Sequence, residues 1–206
     1  MDSKTIYFIR NAQTDDSLIL SRGRSSSSAS SCSNTRWFDR GLNSLGRRQA
    51  RMSALALVKR LGNESDAITC IYSAPTLASL QTAAEFAAVL DVPIQPVFGL
   101  GAAQEHNNEE QPYIVYANMA LAVNPDGAIE VLPPIDNINT TYDEACLSLA
   151  ECFVSSHAIF VVDREAIKQP LGIKQRIEAC MIVETTFSVE SATFAVEETF
   201  LAHSFF

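Results

Sequence analysis

Short runs of β-branched and aromatic residues alternate along this chain with longer stretches of helical period, and no other feature restricts the fold as strongly. Ile6, Tyr7, Phe8 and Ile9 read as a strand. Residues 45–61 read as a helix, with Met52, Leu55, Ala56 and Val58 fitting a stripe of helical period and Asn43 placed to cap it. A strand over 68–72 and a helix over roughly 76–90 follow, the latter repeating small and apolar residues at Leu77, Leu80, Ala84, Ala87 and Ala88. The pattern then repeats as a strand over 93–98, a helix over 142–153 capped by Thr140 or Thr141, and a strand over 159–162. Such alternation predicts an α/β fold, a three-layer sandwich with a mostly parallel central sheet flanked by helices. Residues 177–187 and 192–200, rich in Val, Ile, Thr and Phe, predict two further strands joined by a hairpin near 188–191.

At 206 residues the chain is long enough for one domain with a substantial core, spanning 1–206. Two stretches depart from compactness. The serine-rich run at about 21–35 is polar and of low complexity, which predicts a mobile loop. Residues 99–112 are acidic and amide-rich, 124–127 (Asn-Pro-Asp-Gly) read as a turn, and Pro133-Pro134 as an extended connector.

A formal net charge of −9 argues against nucleic acid as a partner, because a phosphate backbone selects Lys and Arg surfaces, and it disfavours anionic membranes. No apolar run approaches the ~20 residues needed to span a bilayer, and the N-terminus has no signal-peptide pattern. Cys32, Cys70, Cys146, Cys152 and Cys180 show no Cys-x-x-Cys spacing. Reduced thiols in an intracellular, cytoplasmic setting are the expectation, without disulfides or a zinc site. Phosphate-loop, nucleophile-elbow and zinc-protease motifs are all missing, so the sequence implies no cofactor and no metal.

Two segments carry a more specific signal. The first strand runs into Arg10-Asn11-Ala12-Gln13-Thr14, and residues 73–83 read Ser-Ala-Pro-Thr-Leu-Ala-Ser-Leu-Gln-Thr-Ala. Residues 39–50 add Asp-Arg-Gly-Leu-Asn-Ser-Leu-Gly-Arg-Arg-Gln-Ala. Together these resemble the histidine phosphatase superfamily, the phosphoglycerate-mutase-like proteins, along most of the chain. In that family the first segment reads Arg-His-Gly-Gln-Thr, and the histidine attacks phosphorus and carries the phosphoryl group. Here Asn11 stands at that position, and an amide nitrogen, its lone pair delocalised into the carbonyl, is no nucleophile.

The other landmarks depart in the same direction. Ala78 stands where the resemblance implies a phosphate-gripping arginine. Ala102, in Leu100-Gly101-Ala102, stands where it implies an acidic glutamate, and Glu105 lies three residues beyond. After the strand at 159–162, Asp163 stands where it implies a second histidine; a shift of one residue puts Arg164 there. The chain has only three histidines, His106, His157 and His203, and none falls at either position.

The resemblance therefore implies a degenerate member with no catalytic residues and a remnant pocket of Arg10, Asn11, Ala78, Ala102, Asp163 and Arg164. Arg10 keeps the position of a phosphate ligand, and its guanidinium suits bidentate oxygen recognition. An ion pair with Asp163 competes with that role. Charge-assisted hydrogen bonds contribute about 1.5 to 3 kcal/mol each, so phosphate binding at about millimolar or weaker is expected. The expected function is that of a pseudoenzyme serving as a protein-binding, scaffold or regulatory module with a protein partner. The alternatives are a non-catalytic sensor of a phosphorylated or acidic ligand through Arg10, and a residual phosphomonoesterase or mutase.

Overall fold

A computed structural model describes residues 3–14, 41–101, 127–135, 141–153 and 155–201. The serine-rich loop, Ala102, Glu105, His106 and His203 lie outside these residues, as do Cys32 and most of the acidic stretch at 99–112.

Six strands form one sheet: β1 (Ser3–Arg10), β2 (Ile71–Ser73), β3 (Ile94–Pro96), β4 (His157–Val162), β5 (Ile182–Ser188) and β6 (Thr193–Phe200), in the order β3-β2-β4-β1-β5-β6. The first four are mutually parallel, whereas β5 runs antiparallel to β1 and β6 antiparallel to β5. The expected mostly parallel sheet and the terminal hairpin are both present. Beyond β3, bridges from Ile94 to Val131 and from Val97 to Ile135 lay the extended Pro133-Pro134 segment along that edge.

Helices cover both faces. On one side α1 (Ser44–Leu61) and α2 (Leu77–Leu90) pack through Ala54, Leu57, Leu80, Phe86 and Ala87 onto Tyr7, Ile9, Ile71, Ile159 and Val161. On the other, α3 (Tyr142–Cys152) and α4 (Arg164–Leu171) pack onto Ile6, Phe8, Phe160, Val162 and Val183. β1 and β4 are buried on both faces, which explains their unbroken apolar runs.

The helix starts follow local chemistry. Asn43 accepts from the Gly46 amide at 2.7 Å, and Thr76 accepts from the Ser79 amide. Thr141 and Glu144 form a reciprocal capping box, so of the two expected threonines it is Thr141 that caps α3.

Four expectations need correction. The stripe of Met52, Leu55, Ala56 and Val58 does not enter the core; α1 buries Gly46, Ala50, Ser53, Ala54, Leu57 and Leu61. The buried face combines small residues with Leu57 and Leu61 and bears no charge. The strand expected over 68–72 begins only at Ile71 and runs to Ser73, following a 3-10 helix over 62–67 and an irregular segment. The strand expected from 177 begins at Ile182, after a turn in which Met181 N–H donates to Glu178 and Cys180 takes a left-handed backbone (φ 57°). Helix α4, which contains Pro170 and ends at Gly172 in the left-handed region, was not expected.

Among the described residues no helix is long and apolar enough to cross a membrane, and Cys70, Cys146, Cys152 and Cys180 are free thiols.

Candidate functional site

Parallel strands end at one edge of their sheet, and loops leaving that edge are where open α/β folds gather functional groups. Here β1 and β4 are in register to their last residues, Arg10 opposite Val162. The Asn11 amide extends the ladder, donating to the Val162 carbonyl at 3.0 Å. Asn11 and Asp163 therefore leave neighbouring strands at the same level. From β2, the Ala74 amide donates to the Val161 carbonyl at 2.9 Å and brings the start of α2 to this edge.

The loop after β1 is held by side chains of α1 and α2. Ala12 N–H donates to Thr82 Oγ1 at 2.9 Å, and that hydroxyl donates in turn to the Ala78 carbonyl at 2.7 Å. Gln81 Oε1 accepts from the Leu42 amide at 2.7 Å, and the Asn43 amide donates to the Gln13 carbonyl at 3.2 Å. Gly46 makes the contact possible: a Cβ there would lie 2.1 Å from the Gln13 carbonyl oxygen. Gln81 and Thr82 were legible in the motif only as matching letters; their role as clamps on the loop backbone comes from the fold.

The sequence-predicted residues can now be placed. Arg10 ends β1, Asn11 follows it, Asp163 precedes α4 and Arg164 begins α4. Ala78, in the first turn of α2, is 6% exposed within a small cluster of Ala12, Leu42, Ala50 and Cys180. Ala102 lies outside the described residues. His157 begins β4 opposite Thr5, at the end of the sheet remote from Asn11.

The electrostatics at this edge are mixed. Arg10 donates from Nη1 to the Ile177 carbonyl at 2.5 Å, and its Nε is buried without a hydrogen-bond partner. Burial lowers its pKa, Arg164 adds to that effect and Glu178 opposes it. Burial likewise pushes the Asp163 carboxyl up, and attraction to Arg10 only partly offsets it. No contact ion pair links Arg10 and Asp163; Arg164 pairs with Glu165 at 2.7 Å and Arg176 with Glu178 at 2.6 Å. Burial also raises the Cys180 thiol to about 12, so it stays protonated. Among the described residues no group of His, Cys, Asp and Glu could hold a metal ion.

Neither a family model nor a curated protein sequence matches the chain. Solved structures do. SixA from Agrobacterium tumefaciens superposes with a TM-score of 0.52 at 14% identity, covering 96% of this chain and 97% of its own. Mycobacterial hydrolase 1 gives 0.58 at 14% identity over 95% and 97%, and a mycobacterial glucosyl-3-phosphoglycerate phosphatase gives 0.52 at 14% over 94% and 97%. The fold is that of the histidine phosphatases. At this identity the likeness is one of architecture, end to end in both partners. Asn11, Asp163 and the start of α2 meet at the carboxyl edge of β1, β2 and β4.

Proposed function

We propose that this chain is a catalytically inactive histidine-phosphatase-like pseudoenzyme that acts as a protein-binding, scaffold or regulatory module. The observation that carries the reading is the neighbourhood of Asn11: an amide at the nucleophile's position, level with a half-buried carboxyl residue, Asp163, and served by the partly buried Arg10. Phosphoryl transfer in this fold needs a nucleophilic imidazole facing donors that stabilise the equatorial oxygens. An ionised Asp163 would repel a phosphate and attract Arg10 away from it. Packing of Ala78 against Ala12, Leu42, Ala50 and Cys180 adds support, since a small apolar cluster offers nothing to a phosphate.

The test is hydrolysis of p-nitrophenyl phosphate and a panel of phosphosugars by the purified chain. A rate at the buffer background is expected. Turnover well above it, abolished by Arg10→Ala, would favour the residual phosphomonoesterase instead.

The unpartnered Nε of Arg10 favours a second reading, a sensor that holds a phosphorylated or acidic ligand without turning it over. Arg164 lies within electrostatic reach of Arg10 and would assist. Ligand linkage makes this measurable: phosphate, vanadate or a sugar phosphate would raise the melting temperature only if the folded chain binds it. No shift at millimolar concentrations would remove this reading.

A further inference from the structure

Helix α1 buries one face, and its opposite face mixes exposed leucines with cations. The buried stripe is Gly46, Ala50, Ser53, Ala54, Leu57 and Leu61. On the opposite side Leu45, Arg48, Met52, Leu55 and Lys59 follow one another at alternating spacings of three and four, the a/d seam of a helix that pairs with another helix. Leu45 and Leu55 are 45% and 47% exposed, large apolar side chains that the described fold leaves uncovered.

Charge specifies what the face can meet. In a chain of net charge −9, α1 bears Arg47, Arg48, Arg51, Lys59 and Arg60 and no carboxylate. Arg47 pairs with Glu85, and Arg60 with Glu184 and Glu198, all on the flanks of the helix. Arg48 and Lys59 in the outer seam, and Arg51 beside it, form no ion pair with any described residue. A second copy of the same face would bring these cations together. A partner helix with leucines facing Leu45 and Leu55, and glutamates or aspartates facing Arg48 and Lys59, would satisfy both.

We propose that the outer face of α1 is the docking surface for an acidic amphipathic helix of a protein partner. The inference rests on the module reading above and names the chemistry of its partner. From Leu45 to Lys59 the seam is about 21 Å long, two heptads.

The probe is a synthetic helix with leucines at a and d interrupted by glutamates, labelled for fluorescence anisotropy and titrated with the full chain; a lysine-for-glutamate version is the control. Saturable binding is expected, weakening as salt rises and falling at least about tenfold in Arg48→Glu/Lys59→Glu and in Leu55→Gln, with the control peptide silent. Because these side chains face solvent, circular dichroism and melting temperature should not change. No binding, binding indifferent to these variants, or equal binding of the lysine control would overturn the proposal. So would a drop in melting temperature for Leu55→Gln, which would mean that the chain covers its own face, or a change of oligomeric state, which would mean that a second copy does. Vesicles containing phosphatidylserine serve as a further control, and capture by them in preference to the peptide would also overturn it. Phosphatase activity would remove the pseudoenzyme reading and leave this surface untouched; failed docking in an inactive chain would do the reverse.

Discussion

Asn11 and Asp163 stand level at the carboxyl edge of the sheet because the Asn11 amide donates to the Val162 carbonyl at 3.0 Å, one step beyond the register pair of Arg10 and Val162. Two separate departures from the family's pattern, more than 150 residues apart in the sequence, thus belong to one place in the molecule. The resemblance implies an imidazole at each position; the fold instead sets an amide level with a carboxyl group at this edge.

Restoring the nucleophile alone should not restore chemistry. In Asn11→His, Asp163 and the packed Ala78 still leave a transferring phosphoryl group short of positive charge, and missing donors of this kind cost about 10² to 10³ in rate each. Hydrolysis of p-nitrophenyl phosphate by Asn11→His should stay within about tenfold of the parent chain. A rise of several orders of magnitude would show that the edge is better equipped than its side chains suggest.

Asp163 makes stability depend on pH. Burial raises its pKa in the folded chain above the ordinary 3.8, so the folded state holds the proton more tightly than the unfolded state. Stability contributed by the protonated form is therefore lost as pH climbs from the unfolded value through the raised folded value, and it stays lost above. Asp163→Asn, which removes the charge, should melt higher than the parent at pH 7, and the gap should narrow as pH falls through the raised folded pKa and close near the unfolded value of 3.8. A gap that is constant across this range, or of opposite sign at pH 7, would mean that attraction to Arg10 outweighs burial.

Gly46 is required by contact. Its added Cβ would lie 2.1 Å from the Gln13 carbonyl oxygen, a backbone atom held in place by the Asn43 amide. Gly46→Ala should destabilise the chain by about 1–3 kcal/mol despite alanine's better helix propensity. Urea denaturation measures it, and a neutral or stabilising result would mean that the loop after β1 yields easily.

Thr82 joins two elements through one hydroxyl. Thr82→Val keeps the shape and leaves the Ala12 amide without its acceptor in a buried setting, at a cost of about 1–3 kcal/mol. Amide hydrogen exchange at Ala12 should speed up in the same variant; unchanged protection there would show that another acceptor takes over.

The order of the strands and of every helix but α4, the cap at Asn43, a threonine cap at 140 or 141 and the terminal hairpin were legible in the chain. Each depends on residues close in sequence: a capping side chain reaches its amide within three residues, and the period of a strand or helix is visible within one segment. The stripe on α1 shows where such reading fails. Met52, Leu55, Ala56 and Val58 have the right period, but the face that packs is chosen by which side fits the neighbouring elements, and there Gly46, Ala50, Ser53 and Ala54 allow a closeness that larger residues forbid. Helix α4 escaped notice because Pro170 and few apolar residues mask a short element that Ala166 and Ile167 nonetheless anchor to the core.

Sequence alone determined which side chains this protein has available for chemistry: no histidine at either position the resemblance assigns one, and an alanine in place of a second arginine. Only the tertiary structure decided what those side chains experience. Parallel pairing of β1 with β4 aligns Asn11 and Asp163, Ala78 packs with Ala12, Leu42, Ala50 and Cys180, and burial raises the proton affinity of Asp163. Distances between remote segments, and the loss of water around a charge, are properties of the folded chain that no local pattern of residues encodes.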